Sequence, residues 1–407
     1  MSNEKKIAIL LGDGMADYPI PSLGNRTPLQ AAKTPHMDYL AKNGILGLVR
    51  TVPEGMSPGS DTANLSVFGY DPRRYYSGRA PLEAISMGID MAERDVAFRC
   101  NIVHIDDSDV MVDFSADHID TAYTRIIIDE LNGVLGEEFI KLFPGVSYRN
   151  ILLWRDYPYN EVTDSTPPHD IQGRVIGSYL PRGDGSDLLR SIMRLSREVV
   201  TGSERIQEAG QRYRGMPTAI WLWGGGRRPA MTTLAERFGL RGYTISAVDL
   251  IHGIGKAAGL TPLPVEGVTG YIDTNYRGKA EKLLSALHDG NFVFLHVESP
   301  DESGHEGNIE HKIQAIEDFD EQVVGTVLKG IDVFDDYSLL VMPDHPTPIS
   351  LKTHTPDPVP FCIYNSTRSD QSGGEVAGFD ETSAAGTGIV VEEGHRLIEM
   401  VIAGKIY

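Results

Sequence analysis

Aspartates and histidines gather where short apolar runs of this chain end. "AILLGDG" closes at Asp13, and "FVFLHVESPDESGH" leads to Asp301 and His305. "LLVMPDH" ends in Asp344 and His345, and His354 follows within the proline-rich stretch "VMPDHPTPISLKTHTPDPVPF". Carboxylate with imidazole is the ligand chemistry of Zn²⁺ or Mn²⁺. Each residue alone has a plainer reading. Asp13 in Gly-Asp-Gly suits a turn, and Asp301 and His305 suit loop caps. The set as a whole exceeds what one catalytic ion with an open coordination position needs, so two ions are the natural inference.

A second constellation lies in "GMSPGSDTANLSVFGYD". Ser60 is small, flanked by glycine, and precedes a helical run. It suits an N-cap, the commoner role for serine there. It also suits a nucleophile: a metal ion at Oγ would lower its pKa, and a helix N-terminus favours a phosphate. Asn64, one turn on, can bring an amide to the same phosphate. Ser57 is the rival nucleophile, but Pro58 follows it and it lies further from the helix start.

These residues need elements to position them. "KKIAILLGDGMAD" reads as a buried strand opening into a loop. "TPHMDYLAKNG" reads as a helix with Thr34 as cap, Pro35 at its first position and Gly44 as its stop. "ILGLVRTV" is a second strand. From about residue 90 the texture changes: "DVAFRCNIVHI" and "VMVDFS" read as neighbouring strands around an acidic turn, "TAYTRIIIDELNGVLG" as a helix, and "ILLWRD" and "RVIGSYL" as further strands. After "SDLLRSIMRLSREVV" helix and strand alternate again, with "TAIWLWGGG", "NFVFLHVE" and "YSLLVMPDH" among the strands. The alternation predicts an α/β fold with a doubly wound, mostly parallel sheet, whose site lies beyond the strands' C-terminal ends. The expected organisation is a discontinuous domain, 1–90 and 186–407, with a smaller α+β domain inserted at 91–185. "TRSDQSGGEVAGFDETSAAGTG" reads as an exposed polar loop.

Composition narrows the function classes. The net charge of −20 over 407 residues disfavours nucleic acid and anionic membranes, so an anionic substrate requires arginines gathered locally. No apolar run approaches a membrane span. Cys100 and Cys362 sit in apolar contexts and read as buried free thiols of a reducing compartment. With no secretory leader evident, the expectation is a soluble cytoplasmic protein.

With these residues assembled, the chain resembles the metal-dependent alkaline phosphatase superfamily, and within it the cofactor-independent phosphoglycerate mutases of the archaeal type. The likeness is carried in order by "LLGDGMAD", "GSDTANLSVFGYDP", "YYSGRAPLEA", "DVAFRCN", "PDESGHEG", "PDHPTP" and "THTPDPVPF". The resemblance implies an alkaline-phosphatase-like fold and two divalent ions, manganese or zinc, without 2,3-bisphosphoglycerate. One ion would be held by Asp301, His305 and His354, the other by Asp13, Ser60, Asp344 and His345. Ser60 would carry the phosphoryl group between 3-phosphoglycerate and 2-phosphoglycerate. The inserted domain would close over the substrate and exclude water.

Arg79 and Arg99 match family positions for binding a small phosphorylated carboxylic acid, and His169, Arg174, Arg227, Arg228 and Lys256 are further candidates. For each arginine an ion-paired or solvated role competes. Arg99 stands out, because an arginine inside a strand-like run costs desolvation unless it has an anionic partner. His169 and Asp170 are the acid–base candidates. One departure concerns the substrate: "VDFSADHID" stands where the family often has an aspartate-arginine-serine-rich segment, and wording like "WLWGGGRRP" is associated with homoserine-kinase-like roles. The alternative is therefore a related phosphotransferase or phosphatase on another small phosphate compound. Monomer and homo-oligomer are equally compatible with the sequence.

Overall fold

The computed structural model describes residues 4–136, 138–367 and 376–406. The strands among them are β1 (Lys6–Gly12), β2 (Ile45–Val49), β3 (Val96–Ile105), β4 (Met111–Asp113), β5 (Ile140–Val146), β6 (Arg149–Trp154), β7 (Ala219–Arg227), β8 (Gly242–Ile245), β9 (Thr261–Pro262), β10 (Phe292–Val297), β11 (Tyr337–Met342), β12 (Val359–Asn365) and β13 (Val390–Val391). The chain divides into two compact units: Met1–Tyr76 with Met231–Tyr407, and Ser77–Ala230.

The first unit is built on an eight-stranded sheet in the order β13-β2-β12-β11-β1-β10-β8-β9. β12 is antiparallel to both its neighbours, and every other pairing is parallel. β10 and β11 are buried along their whole length, as strands covered on both faces must be. On one face Ala8, Leu10, Val293, Leu295, Leu339 and Val341 join Leu40, Leu283, Phe319 and Val327 of the covering helices. On the other, Phe294 stacks on Phe68 with ring centroids 4.1 Å apart. The sheet is therefore doubly wound. Register places Gly12 beside Val297 and Leu11 beside Met342, so the loops after β1, β10 and β11 emerge side by side.

The second unit is an antiparallel sheet in which β3 is central: β6 pairs along one edge, β7 along the other, β4 at its end, and β5 lies outside β6. This unit is wider than the 91–185 span expected from sequence. β7 pairs with β3 from Val96↔Arg227 to Val103↔Ala219, and Leu189, Ile192, Met193 and Val200 of the helix Ser186–Gly202 share the core of Phe98 and Trp221. "TAIWLWGGG" thus belongs to the second sheet. The helix Arg79–Ser86 also belongs here, packing Ala80 and Ala84 against Ala97 and Ile151.

Other local expectations are corrected. "RVIGSYL" forms a 3₁₀ turn at Ile176–Tyr179, not a strand. Thr34 makes no side-chain cap for the helix Pro35–Asn43. Asp320 does so from a π-helical turn, Phe319–Val324, accepting from the backbone N–H groups of His36 (3.2 Å) and Met37 (2.7 Å). Of the Gly/Ser-rich stretch, residues 368–375 lie outside the described residues. Its later part contains the helix Glu381–Gly386, capped by the Asp380 carboxylate. Both cysteines are buried and free. No helix among the described residues is long and apolar enough to cross a membrane.

The loops at the sheet's C-terminal edge are held by a buried ion pair. Lys312 is wholly inaccessible, and its Nζ donates to Asp17 Oδ2 (2.8 Å), the Thr347 carbonyl (2.8 Å) and the Ala16 carbonyl (3.3 Å). Asp17 Oδ2 also accepts from the Ile349 N–H at 3.1 Å. One ammonium group thereby ties the loop after β1 to the loop after β11. All three of its protons have partners, which is the condition for a buried cation. Lys312→Met strands the Asp17 carboxylate in the interior, and unfolding in urea should show a loss of about 3–5 kcal/mol. A loss below ~1 kcal/mol would contradict the clamp.

Candidate metal centre and anion site

Asp13 follows β1 directly, and its carboxylate is buried between elements of the first unit. Oδ2 lies 2.9 Å from His296 Nε2, and Oδ1 lies 3.4 Å from His345 Nε2. Gly14, at φ +61°, makes the tight exit from the strand. A Cβ there would lie 2.6 Å from both Asp301 Oδ1 and Thr347 Oγ1, so only glycine lets the backbone pass.

Asp344 and His345, just beyond β11, are fully buried. Asp344 Oδ1 accepts from the N–H groups of Gly14 (3.2 Å) and His345 (2.9 Å), and Oδ2 accepts from Asn64 Nδ2 (2.7 Å). His345 Nε2 is 3.2 Å from Ser60 Oγ. Ser60 is the first residue of the helix Ser60–Val67. Gly59 occupies the cap position, and no side chain caps this end. The capping reading of Ser60 is thus not the one the structure adopts. Ser57 is exposed in the segment that leads to this helix. Asn64 spends its amide nitrogen on Asp344 and on the Ser60 carbonyl (2.9 Å), which fixes the serine against the acid cluster.

Asp301 lies in the helix Ser299–Glu306, whose start follows β10. Its Oδ2 is 3.2 Å from His305 Nε2, its Oδ1 is 3.5 Å from His354 Nε2, and Thr347 Oγ1 donates to Oδ1. His305 and His354 face each other with their Nε2 atoms 3.0 Å apart. Two imidazole nitrogens at that distance share one proton or one cation. Among the described residues, three sets of side chains converge closely enough to hold an ion: Asp301 with His305 and His354, Asp13 with Asp301 and His345, and Asp13 with His296 and Asp344.

The electrostatics are those of crowded acids. Burial, then the neighbouring Asp344 and Asp301 carboxylates, pushes Asp13 well above the usual carboxylate range. Burial would raise Asp301 too, but hydrogen bonds from His305 and His354 outweigh it and hold Asp301 well below that range. Burial lowers His345. Asp13 Oδ1 and Asn64 Oδ1 are buried without a hydrogen-bond partner among the described residues. Such atoms are costly in an interior unless a cation answers them, so this donor set fits divalent metal.

His296 was not singled out from the sequence. It sits inside the apolar run of β10, where a histidine reads as core, and only the register with Leu11 brings it to Asp13. Thr347 was also missed. It touches both Asp301 and His345 (3.3 Å to Nδ1) and so spans the two halves of the cluster.

In the second unit, Arg79 and Arg99 grip one carboxylate. Arg79 Nε and Arg99 Nε each lie 2.9 Å from an oxygen of Glu83. Glu83 is the anionic partner that an arginine inside β3 demands, and its position four residues after Arg79 on a helix is the signal that could have found it. Burial works against ionised Glu83, but Arg99 and then Arg79 outweigh it and hold the acid below its usual range. Two guanidinium groups thus share one carboxylate. Arg99 lies over the Trp223 ring at 4.2 Å, and the His169 ring meets the same indole at 5.4 Å. Of the remaining candidates, three arginines lie in the second unit with other partners and the lysine lies in the first. Arg174 is exposed and donates to Tyr179 Oη. Arg227 donates to the carbonyls of Tyr159, Asn160 and Arg94, and Arg228 to that of Met91. Lys256 is exposed on the helix Asp249–Ala257 of the first unit.

Comparison with known proteins places these features in a family. The family model for 2,3-bisphosphoglycerate-independent phosphoglycerate mutase matches residues 41–204. A probable mutase of that description from Geobacter sulfurreducens is 50% identical over 400 residues, which span 98% of this chain and 99% of that protein. The 2,3-bisphosphoglycerate-independent phosphoglycerate mutase of Methanosarcina barkeri is 46% identical over 405 residues, covering 98% and 100%. Among solved structures, the cofactor-independent phosphoglycerate mutase from Thermoplasma acidophilum aligns over 98% of this chain and 99% of its own, with a TM-score of 0.67 at 25% identity. The chain belongs to the family of 2,3-bisphosphoglycerate-independent phosphoglycerate mutases.

Proposed function

We propose that this protein interconverts 3-phosphoglycerate and 2-phosphoglycerate through a phosphoserine at Ser60. The observation that carries the reading is the placing of Ser60 Oγ at a helix start, 3.2 Å from His345 Nε2, beside three buried carboxylates. Asp301, His305 and His354 would hold one divalent ion, and Asp13, Ser60, Asp344 and His345 a second, with manganese or zinc the metals this donor set suits. When bound, such ions offset phosphate charge and lower the pKa of the serine hydroxyl.

The chain's own residues supply the rest. Ser60 Oγ forms a bond to phosphorus as the bond to the glycerate oxygen breaks, and the reverse step returns the phosphoryl group to the other hydroxyl. Asn64 fixes the serine through its carbonyl and holds Asp344 at the same time. The helix N-terminus at Ser60 favours the added negative charge. Arg79 and Arg99 are assigned the substrate carboxylate, whose planar pair of oxygens suits guanidinium groups. His169 is assigned the hydroxyl proton. Burial lowers its pKa, which favours the neutral ring, whose unprotonated nitrogen can accept. Glycerate must stay bound between the two transfers, since water reaching phospho-Ser60 would turn the enzyme into a phosphatase. Two buried free cysteines and this chemistry suit the cytoplasm.

The test is a product assay with 3-phosphoglycerate. 2-Phosphoglycerate should form, whereas free phosphate or no turnover would overturn the mutase reading. Ser60→Ala should abolish transfer while metal uptake persists, and full activity in that variant would remove Ser60 from the mechanism. Treatment with EDTA should silence the enzyme until Mn²⁺ or Zn²⁺ is restored, and undiminished turnover in chelator would exclude a metal role.

A further inference from the structure

His296 and Ser246 have no place in the mechanism above, yet they form a buried line ending on Asp13. Ser246 Oγ accepts from the Val248 N–H at 2.9 Å and lies 3.2 Å from His296 Nδ1. His296 Nε2 lies 2.9 Å from Asp13 Oδ2. His296 is wholly inaccessible. The loop carrying Ser246 is fixed in turn: its carbonyl meets His252 Nε2 at 3.1 Å, and His252 Nδ1 meets Thr244 Oγ1 at 3.0 Å.

Proton accounting decides the direction of this line. Ser246 Oγ already accepts from an amide, and its own proton needs an acceptor. Among the described residues the hydroxyl has one acceptor within reach, His296 Nδ1. Nδ1 is then the unprotonated nitrogen, and the ring proton sits on Nε2, facing the carboxylate. The opposite tautomer would leave the serine proton unpartnered.

We infer that His296 is a positioning residue: locked by Ser246 as its Nε2–H tautomer, it donates to Asp13 Oδ2 and so orients the carboxylate with Oδ1 toward metal. This deepens the two-ion reading above and rests on it for its effect on metal, though not for the tautomer. Oδ1 is the oxygen that lacks a hydrogen-bond partner and lies 3.4 Å from His345 Nε2. A histidine acting as a direct ligand would need Nε2 unprotonated and would leave Asp13 unrestrained.

Two measurements test it. In the metal-free protein with ¹⁵N-labelled histidine, the His296 ring, assigned by its loss in His296→Gln, should show Nε2 protonated and Nδ1 not. The reverse pattern overturns the inference whatever the metal content. Calorimetric titration with Mn²⁺ reads the consequence. Wild type should take up two ions per chain, and a smaller number counts against the two-ion reading instead. His296→Leu should weaken one ion by about 10–100-fold and leave the other unchanged. His296→Gln, which keeps an N–H donor near the Nε2 position, should stay within about threefold of wild type, a margin well inside the tenfold that ~1.4 kcal/mol represents. Ser246→Ala, the milder change, should weaken the same ion. Wild-type affinity for both ions in His296→Leu and Ser246→Ala would overturn the inference. So would equal losses in His296→Gln and His296→Leu, which would make His296 a ligand.

Discussion

Asp13, Asp301 and Asp344 are buried within one small volume, and like charges at that range in a poorly polarisable interior repel strongly. Much of the first unit can be read as an answer to that repulsion. Four histidines press against the acids. Asn64 and backbone N–H groups take up the Asp344 oxygens. Lys312 brings a full positive charge beneath the loops without joining the cluster. Carboxylates so arranged are under electrostatic tension, which suits the cluster to a divalent cation.

The sheet is what makes this arrangement affordable. Neighbouring parallel strands deliver their following loops to one edge, so residues far apart in sequence meet without any long side chain having to reach. That convergence was legible in the sequence. Asp13, Asp344 and His345 each stand directly after an apolar run, Asp301 and His305 stand in the segment that follows another, and the proline-rich stretch with His354 cannot leave the edge as a helix.

What the sequence withheld follows from pairing and from packing. "TAIWLWGGG" has the composition of any buried strand, and nothing local says that it joins β3 rather than the large sheet. The second unit therefore came out too narrow. His296 was hidden because a histidine amid Phe, Leu and Val looks like core until register shows its neighbour. Lys312 and Glu83 were hidden because charged residues on helices usually face water, and only tertiary packing reveals that these two do not. Thr34 misled for a related reason: a distant carboxylate, Asp320, capped its helix instead.

The single reversed strand, β12, has a consequence for how the molecule assembles. Because β12 runs antiparallel to β11, the segment carrying Asp344, His345 and His354 is a local return at one end of the sheet. Those residues come together as soon as two sequence neighbours pair. Asp13 and Asp301 arrive only when β1 has found β10 and β11, partners hundreds of positions away, and such long-range parallel pairing is slow. The acid cluster is thus completed late in folding, and the repulsion it stores is deferred until most of the apolar surface that offsets it is already buried.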